Sequence, residues 1–279
     1  MPELPEVETV RRGLEARAAG RRIVEVEVCH PQVIAGPADV FEESVRGLIR
    51  RLQRKGKAIA IELVLNDKEP PHYLLVRLGM TGQVTVVPSD YPLQPHTHVR
   101  LVLENGEEIR YRDVRRFGRL RYCTASELDA VFSALGPDAP AMTDADFVAA
   151  LAGRHTPIKS WLLNQGRLAG VGNIYADEAL FAARIHPLTL AGSLKPAEAR
   201  SLRRAVERVL RNAIAMQGTS LRDYIDIEGR PGRFRIKLKV YQRAGEPCPR
   251  CGAKIRRLVL SGRSSHYCPR CQRRRAGRQ

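Results

Sequence analysis

Near the start of the chain, apolar residues return every three to four positions. Val7, Val10 and Leu14 mark one face of a helix over Glu6 to Ala18, with Gly20 as its stop. The period then drops to two. Ile23 to Cys29 sets Glu25 and Glu27 opposite Val24, Val26 and Val28, as a half-buried strand does. Ala58 to Leu65, Tyr73 to Leu78, Gln83 to Val87, His98 to Glu104, Glu107 to Arg112 and Gly118 to Cys123 read as further strands. Asn105-Gly106 is a strong hairpin turn. Many short strands with turn punctuation predict a β-sandwich or barrel-like domain to about residue 130. Residues 136–143 (GPDAPAMT) read as a linker. The helical period returns in Asp144 to Ala152, Pro157 to Asn164, Asn173 to Ile185 and Pro196 to Met216. The fold class is therefore α+β with two domains. Gly218 to Arg233 reads as an exposed, mobile loop.

Charge changes this picture. The 279 residues carry a net charge of +17, with a pI near 10.2. From Arg230 to Gln279 there are 16 Lys or Arg against one acid, Glu246. Such a surplus points to a polyanionic partner, nucleic acid first and an anionic membrane surface second. No apolar run is long enough to predict a transmembrane helix. The start lacks the basic-then-apolar form of a signal peptide.

Cysteine spacing adds a metal. Cys248-x2-Cys251 and Cys268-x2-Cys271, sixteen residues apart, fit a four-cysteine zinc site. Four thiolates close the tetrahedral shell, so this zinc is expected to be structural. Two disulfides are the competing reading, which a reducing cytoplasm disfavours. Cys29 and Cys123 read as single buried thiols. A zinc-stapled β-hairpin here would offer Arg256, Arg257, Arg263 or Arg270 to DNA.

The densest chemistry lies in the first eight residues, Met1-Pro2-Glu3-Leu4-Pro5-Glu6-Val7-Glu8. Removal of Met1 would leave a secondary amine. An α-amino group titrates near ~7.7–8.0, far below lysine. Such an amine condenses with an aldehyde to an iminium, an electron sink. Pro-Glu is also an ordinary helix start. The two readings are compatible, because the positive end of a helix disfavours protonation of an amine. Elsewhere, Lys57 follows Gly56 at a strand start, Met80 sits in Gly79-Met80-Thr81-Gly82, and His96 lies in Pro95-His96-Thr97-His98. Arg115, Arg116 and Phe117 form a basic-aromatic tip. An apolar wedge with an arginine is how proteins enter a base stack. The glycines of residues 165–173 lead into a helix and either expose amides to a phosphate or form a plain helix–helix turn.

The chain resembles the formamidopyrimidine-DNA glycosylases through PELPEVETVRRGL, RLGMTG, YRDVRRFG, LNQGRLAGVGNIYADEALF, GTSLRDYI, YQRAGEPCPRCG and YCPRCQ. The order of these motifs is right from end to end. The resemblance implies an N-terminal β-sandwich with an N-terminal helix, a helix–two-turn–helix motif and a zinc-finger β-hairpin. Its domains would be a catalytic one over 2–135, a linker and helical start over 136–156, a helix–two-turn–helix unit with a lesion-recognition loop over 157–234, and a zinc finger over 235–279. It implies a bifunctional DNA glycosylase and AP lyase that removes oxidised purines from double-stranded DNA containing a damaged base or abasic site, acting as a cytoplasmic monomer with one Zn2+ and no membrane partner.

By the same resemblance Pro2 is the nucleophile at the sugar C1′ and Glu3 its acid–base partner. Lys57 matches the β-elimination lysine, and Arg263 the arginine of δ-elimination and phosphate grip. His96, Arg115, Arg154, Lys159 and Asn173 match DNA contacts. Met80, Arg115 and Phe117 match the residues that fill the void of the flipped nucleotide, Glu6 a carboxylate near the lesion, and Gly218 to Phe234 the loop over the everted base. Residues 66–72, Arg77, Gln242, Arg222 and Arg230 depart from the usual pattern and bear on lesion preference. An endonuclease VIII-like preference for oxidised pyrimidines is the alternative within the fold. Outside it stand a non-enzymatic zinc-dependent nucleic-acid-binding protein and ribosome-associated binding.

Overall fold

The structure, a computed structural model, describes residues 2–66 and 69–274. It forms two compact units, Met1–Ala134 with Ile214–Arg235, and Leu135–Ala213 with Ile236–Gln279.

In the first unit, α1 (Leu4–Ala18) starts two residues earlier than the apolar period alone indicates. Glu3 is its N-cap in a capping box with Glu6, and Pro5 occupies the first turn. Gly20 ends it with φ 80°. Eight antiparallel strands follow, β1 (Arg22–Val28), β2 (Gly47–Lys55), β3 (Ala58–Val64), β4 (His72–Arg77), β5 (Gly82–Pro88), β6 (Thr97–Leu103), β7 (Glu107–Asp113) and β8 (Arg119–Cys123). Their order is β5-β7-β6-β1-β2-β3-β4-β8. β1 and β2 pair only through Arg22–Leu48 and Ile23–Gly47, so the sheet folds there into two leaves. Ile61, Leu74, Val76 and Leu120 of one leaf face Val84, Val99, Leu101 and Ile109 of the other around a void of about 20 Å3, with Leu14 of α1 between them. This is the expected β-sandwich.

Four elements of this unit differ from the sequence reading. A bulge between Ile23 and Glu25 breaks the alternation of β1 and leaves Val24 47% exposed instead of facing inward with Val26. β2 was hidden by its own bulge between Ile49 and Arg51, which spaces the buried Ile49 and Leu52 three apart among arginines. The short helices α2 (Ala38–Ser44) and α3 (Ala125–Ser133) also carry too little period to stand out. Cys123 is buried as expected, whereas Cys29 is partly exposed.

Residues 218–233 are not an exposed loop. Tyr224 and Ile227 are buried in the sandwich core, and Val86 N donates to Ile227 O at 2.9 Å. Two apolar side chains three apart anchor a segment whose composition is otherwise polar.

The second unit packs α4 (Asp144–Leu151), α5 (Ile158–Leu163), α6 (Asn173–Ala182) and most of α7 (Pro196–Ala215). Ala199, Leu202, Val206, Leu210 and Ala213 form the buried stripe of α7. Phe147 and Trp161 meet edge to face at 5.3 Å. β9 (Arg256–Leu260) and β10 (Arg263–Tyr267) form a hairpin. Ser261 and Gly262 turn it with φ 49° and 72°, the I′ pattern that matches strand twist.

Candidate active site and nucleic-acid interface

Pro2 and Glu3 are buried directly ahead of α1. The Glu6 carboxylate organises this terminus. Its Oε2 accepts from Glu3 N and its Oε1 from Thr219 N, both at 2.7 Å. One buried acid thereby ties the helix start to the 218–233 segment. The link is close-packed, since a Cβ on Gly218 would lie 2.8 Å from Glu6 Oε1.

Lys57 occupies the two-residue turn between β2 and β3, after Gly56 with φ 56°. That turn is tethered to α1 by Arg54, which donates to Gly56 O and to Glu8 Oε2, each at 2.9 Å. Burial pushes the Glu8 carboxyl up, but hydrogen bonds from Arg11, Arg12 and Arg54 outweigh it and hold the group at about 2. Sequence reading missed Glu8 and Arg54, because Arg54 lies on the strand that its bulge concealed.

Met80 and the Arg115–Phe117 tip belong to neighbouring loops fixed by one acid. Asp113 is fully buried. Its Oδ1 accepts from Thr81 Oγ1 at 2.5 Å and Arg115 N at 3.3 Å. Its Oδ2 accepts from Gly118 N at 2.8 Å and Tyr111 Oη at 3.2 Å. Burial pushes the Tyr111 phenol up, with the nearby Asp113 charge adding to it. The Asp113 amide also donates to His96 O at 3.1 Å. Met80 and Phe117 are exposed by 37% and 55%, and the Arg115 guanidinium lies 4.5 Å from the Phe117 ring centre. His96 is exposed with φ 67°. The backbones approach so closely that a Cβ on Gly79 would lie 2.5 Å from Gly118 N.

In the second unit, Arg154 is exposed after α4, and Arg263 is exposed at the first position of β10. Asn173 opens α6, and its Oδ1 is buried with no partner among the described residues. In the preceding glycine connection Gly170 N donates to Gln165 Oε1 at 3.0 Å, so that amide is already taken. Lys159 lies away from solvent. Its Nζ pairs with Asp177 Oδ1 at 2.6 Å and donates to Ser264 O at 2.8 Å. Asp177 Oδ2 in turn accepts from His266 N at 2.8 Å. This buried network fixes β10, and with it Arg263, against α5 and α6.

The four cysteine sulfurs all lie within 4.8 Å of one another. Sγ of Cys251 and Cys268 are 3.5 Å apart, and those of Cys248 and Cys271 4.0 Å. A tetrahedral zinc with Zn–S near ~2.3 Å needs about 3.8 Å between sulfurs, so the set fits. Arg250 N and Cys271 N each lie 3.4 Å from a thiol sulfur, as in zinc knuckles. The shell is complete without water, and the chain binds one structural zinc.

Family models match in one order along the chain: the formamidopyrimidine-DNA glycosylase N-terminal domain over residues 1–120, its H2TH domain over 134–224, and the zinc finger found in FPG and IleRS over 245–274. A sandwich, an H2TH segment and a four-cysteine finger in this order define a zinc-finger DNA glycosylase. Curated relatives narrow the class. A formamidopyrimidine-DNA glycosylase of Herpetosiphon aurantiacus is 44% identical over 98% of this chain and 100% of its own. Another, of Moorella thermoacetica, is 46% identical over 92% and 94%. Lactococcus lactis Fpg solved with abasic-site DNA superposes with a TM-score of 0.89 at 33% identity, covering 98% of this chain and 100% of that one. MutM solved with carbocyclic 8-oxo-G DNA gives 0.89 at 32%, with the same coverage. The chain belongs to the formamidopyrimidine-DNA glycosylase family.

Proposed function

We propose that the chain removes oxidised purines from duplex DNA and then cuts the strand, as a bifunctional glycosylase and AP lyase of base-excision repair. The observation that carries this reading is the buried Pro2-Glu3 terminus, tied through Glu6 to residues 218–233 and through Glu8 and Arg54 to the Lys57 turn. It is supported by the ligands of the solved relatives, which include Fapy-dG, abasic-site and 8-oxo-G DNA.

With Met1 removed, the Pro2 nitrogen attacks C1′ of the damaged nucleotide, and the base departs with the bonding electrons and takes up the proton that the nitrogen gives up. Glu3 gives a proton to O4′ as the sugar ring opens, which leaves a C1′ iminium. Loss of a C2′ proton then expels the 3′ phosphate, with Lys57 serving this step. Loss of the 5′ phosphate follows, with Arg263 holding that anion. Glu6 lies near the damaged nucleotide. Met80, Arg115 and Phe117 fill the gap in the stack, while His96, Arg115, Arg154 and Asn173 hold the backbone. Lys159 serves the interface from beneath, through Asp177 and the hairpin. In this reading residues 2–135 carry the chemistry, 136–156 link, 157–234 hold the backbone and cover the lesion, and 235–279 form the finger. The protein works as a monomer in the cytoplasm.

Borohydride should trap wild type covalently on a duplex with 8-oxoguanine opposite cytosine, whereas Pro2→Gly gives no adduct. Wild type without an adduct, or Pro2→Gly with a full one, removes the mechanism. A Lactococcus lactis Fpg structure with an oxidised pyrimidine, with a TM-score of 0.89, makes the pyrimidine reading worth a direct comparison. Faster cleavage of the pyrimidine lesion would favour it.

A further inference from the structure

The zinc end of the finger carries a second feature that the reaction does not use. Arg184, Arg250, Arg270, Arg273 and Arg274 line a cleft of about 560 Å3 beside Cys251 and Cys271. No carboxylate lines it. None of the five arginines joins an ion pair among the described residues. Glu246, the acid of the finger, is occupied by Arg243 at 2.7 Å. Five guanidinium groups so gathered repel one another within a Debye length of about 8 Å. An anion relieves that repulsion, and the planar fork of arginine suits phosphate oxygens.

The cleft is set apart from the residues proposed to grip lesion DNA. Asn173 opens α6, while Arg184 follows its C-terminal end, roughly 16 Å along the helix axis. Arg263 opens β10, while the cleft begins beyond Cys268, again roughly 16 Å away along the strand. The wall between the two ends is fixed. Phe181, Val240, Ile255, Cys248 and Cys268 form one small core. Arg250 stacks 4.4 Å from the Phe181 ring centre and donates to Phe181 O at 3.2 Å.

We propose that this cleft binds backbone phosphates of a second duplex segment while the hairpin tip and the start of α6 hold the first. The proposal rests on the glycosylase reading above. Duplex is favoured over an acidic protein because a protein bound to DNA meets further segments of that DNA at high effective concentration. The consequence is a second grip, by which the enzyme passes between segments during its search.

The test uses the full chain trapped by borohydride on a biotinylated abasic duplex, with capture of a labelled undamaged duplex as the readout. Adduct formation reports the glycosylase chemistry, so its failure and the failure of capture are distinct results. Wild-type adduct should retain the second duplex. The triple variant Arg184→Ala/Arg273→Ala/Arg274→Ala should lose at least about tenfold in capture, with zinc content unchanged and single-duplex nicking within about twofold. Glutamine at the same three positions keeps the side-chain stems, and is read identically if the alanines lower zinc content. No capture by wild type, or equal capture by the variants, overturns the proposal. So does capture displaced by polyglutamate but not by unlabelled duplex, which would assign the cleft to an acidic protein.

Discussion

Asp113 shares its two carboxylate oxygens among four donors, and the exposed residues Met80, Arg115 and Phe117 stand on the loops it holds. Asn in its place keeps the shape but turns one acceptor into a donor that meets other donors. An unmet buried hydrogen bond costs about 1–3 kcal/mol. Asp113→Asn should therefore slow duplex nicking by roughly tenfold or more, with zinc content intact; nicking at the wild-type rate would show that Asp113 does not set the loops. Glu8 makes a pH-dependent contribution. Its folded carboxyl lies at about 2, below its ordinary value of 4.5. The stabilisation is present above the ordinary value and is lost as pH falls toward 2, by at most about 3 kcal/mol. Glu8→Gln should flatten the acid limb of a stability profile between those pH values, and an unchanged limb would assign that loss to other groups. The four cysteines were legible because their chemistry is local and their spacing short. Asp113 and Glu8 were not, because an isolated acid in a sequence does not reveal which distant donors surround it.

Among the elements, the seven strands read from alternation were found, each within a residue at its start. β2 was missed because a bulge set its buried residues at a helical spacing. The 218–233 segment reads as polar, yet it is held by Tyr224, Ile227 and the Thr219–Glu6 bond. Gly13 of α1 forms part of its seat, since a Cβ there would lie 2.7 Å from Ile227 Cγ1. Gly13→Val should force Ile227 outward at about 1–3 kcal/mol, the usual range for overpacking. Trypsin should then cut at Arg222 or Arg233 about 5- to 100-fold faster than in wild type, by the tenfold per 1.4 kcal/mol rule. Equal rates would mean that Ile227 does not anchor the segment.

For the molecule as a whole, a net charge of +17 makes DNA binding a salt-dependent event. Arg154→Ala should lower the slope of log affinity against log salt by about 1 and weaken damaged and undamaged duplexes alike. A loss confined to the lesion duplex would place Arg154 in recognition instead. The sequence by itself determined the fold class, the zinc shell and the polyanionic partner. Each depends on composition, period or short spacing, which folding does not alter. Tertiary structure alone decided that Lys159 is buried against Asp177, that residues 218–233 are docked, and that five arginines meet in one cleft. These depend on contacts between residues far apart in the chain, whose free energy is settled only when burial and partners are known. The opening Pro-Glu pair belongs to both accounts. Its chemistry is written in its residues, while its ties to the Lys57 turn and to Thr219 exist only once the chain has folded.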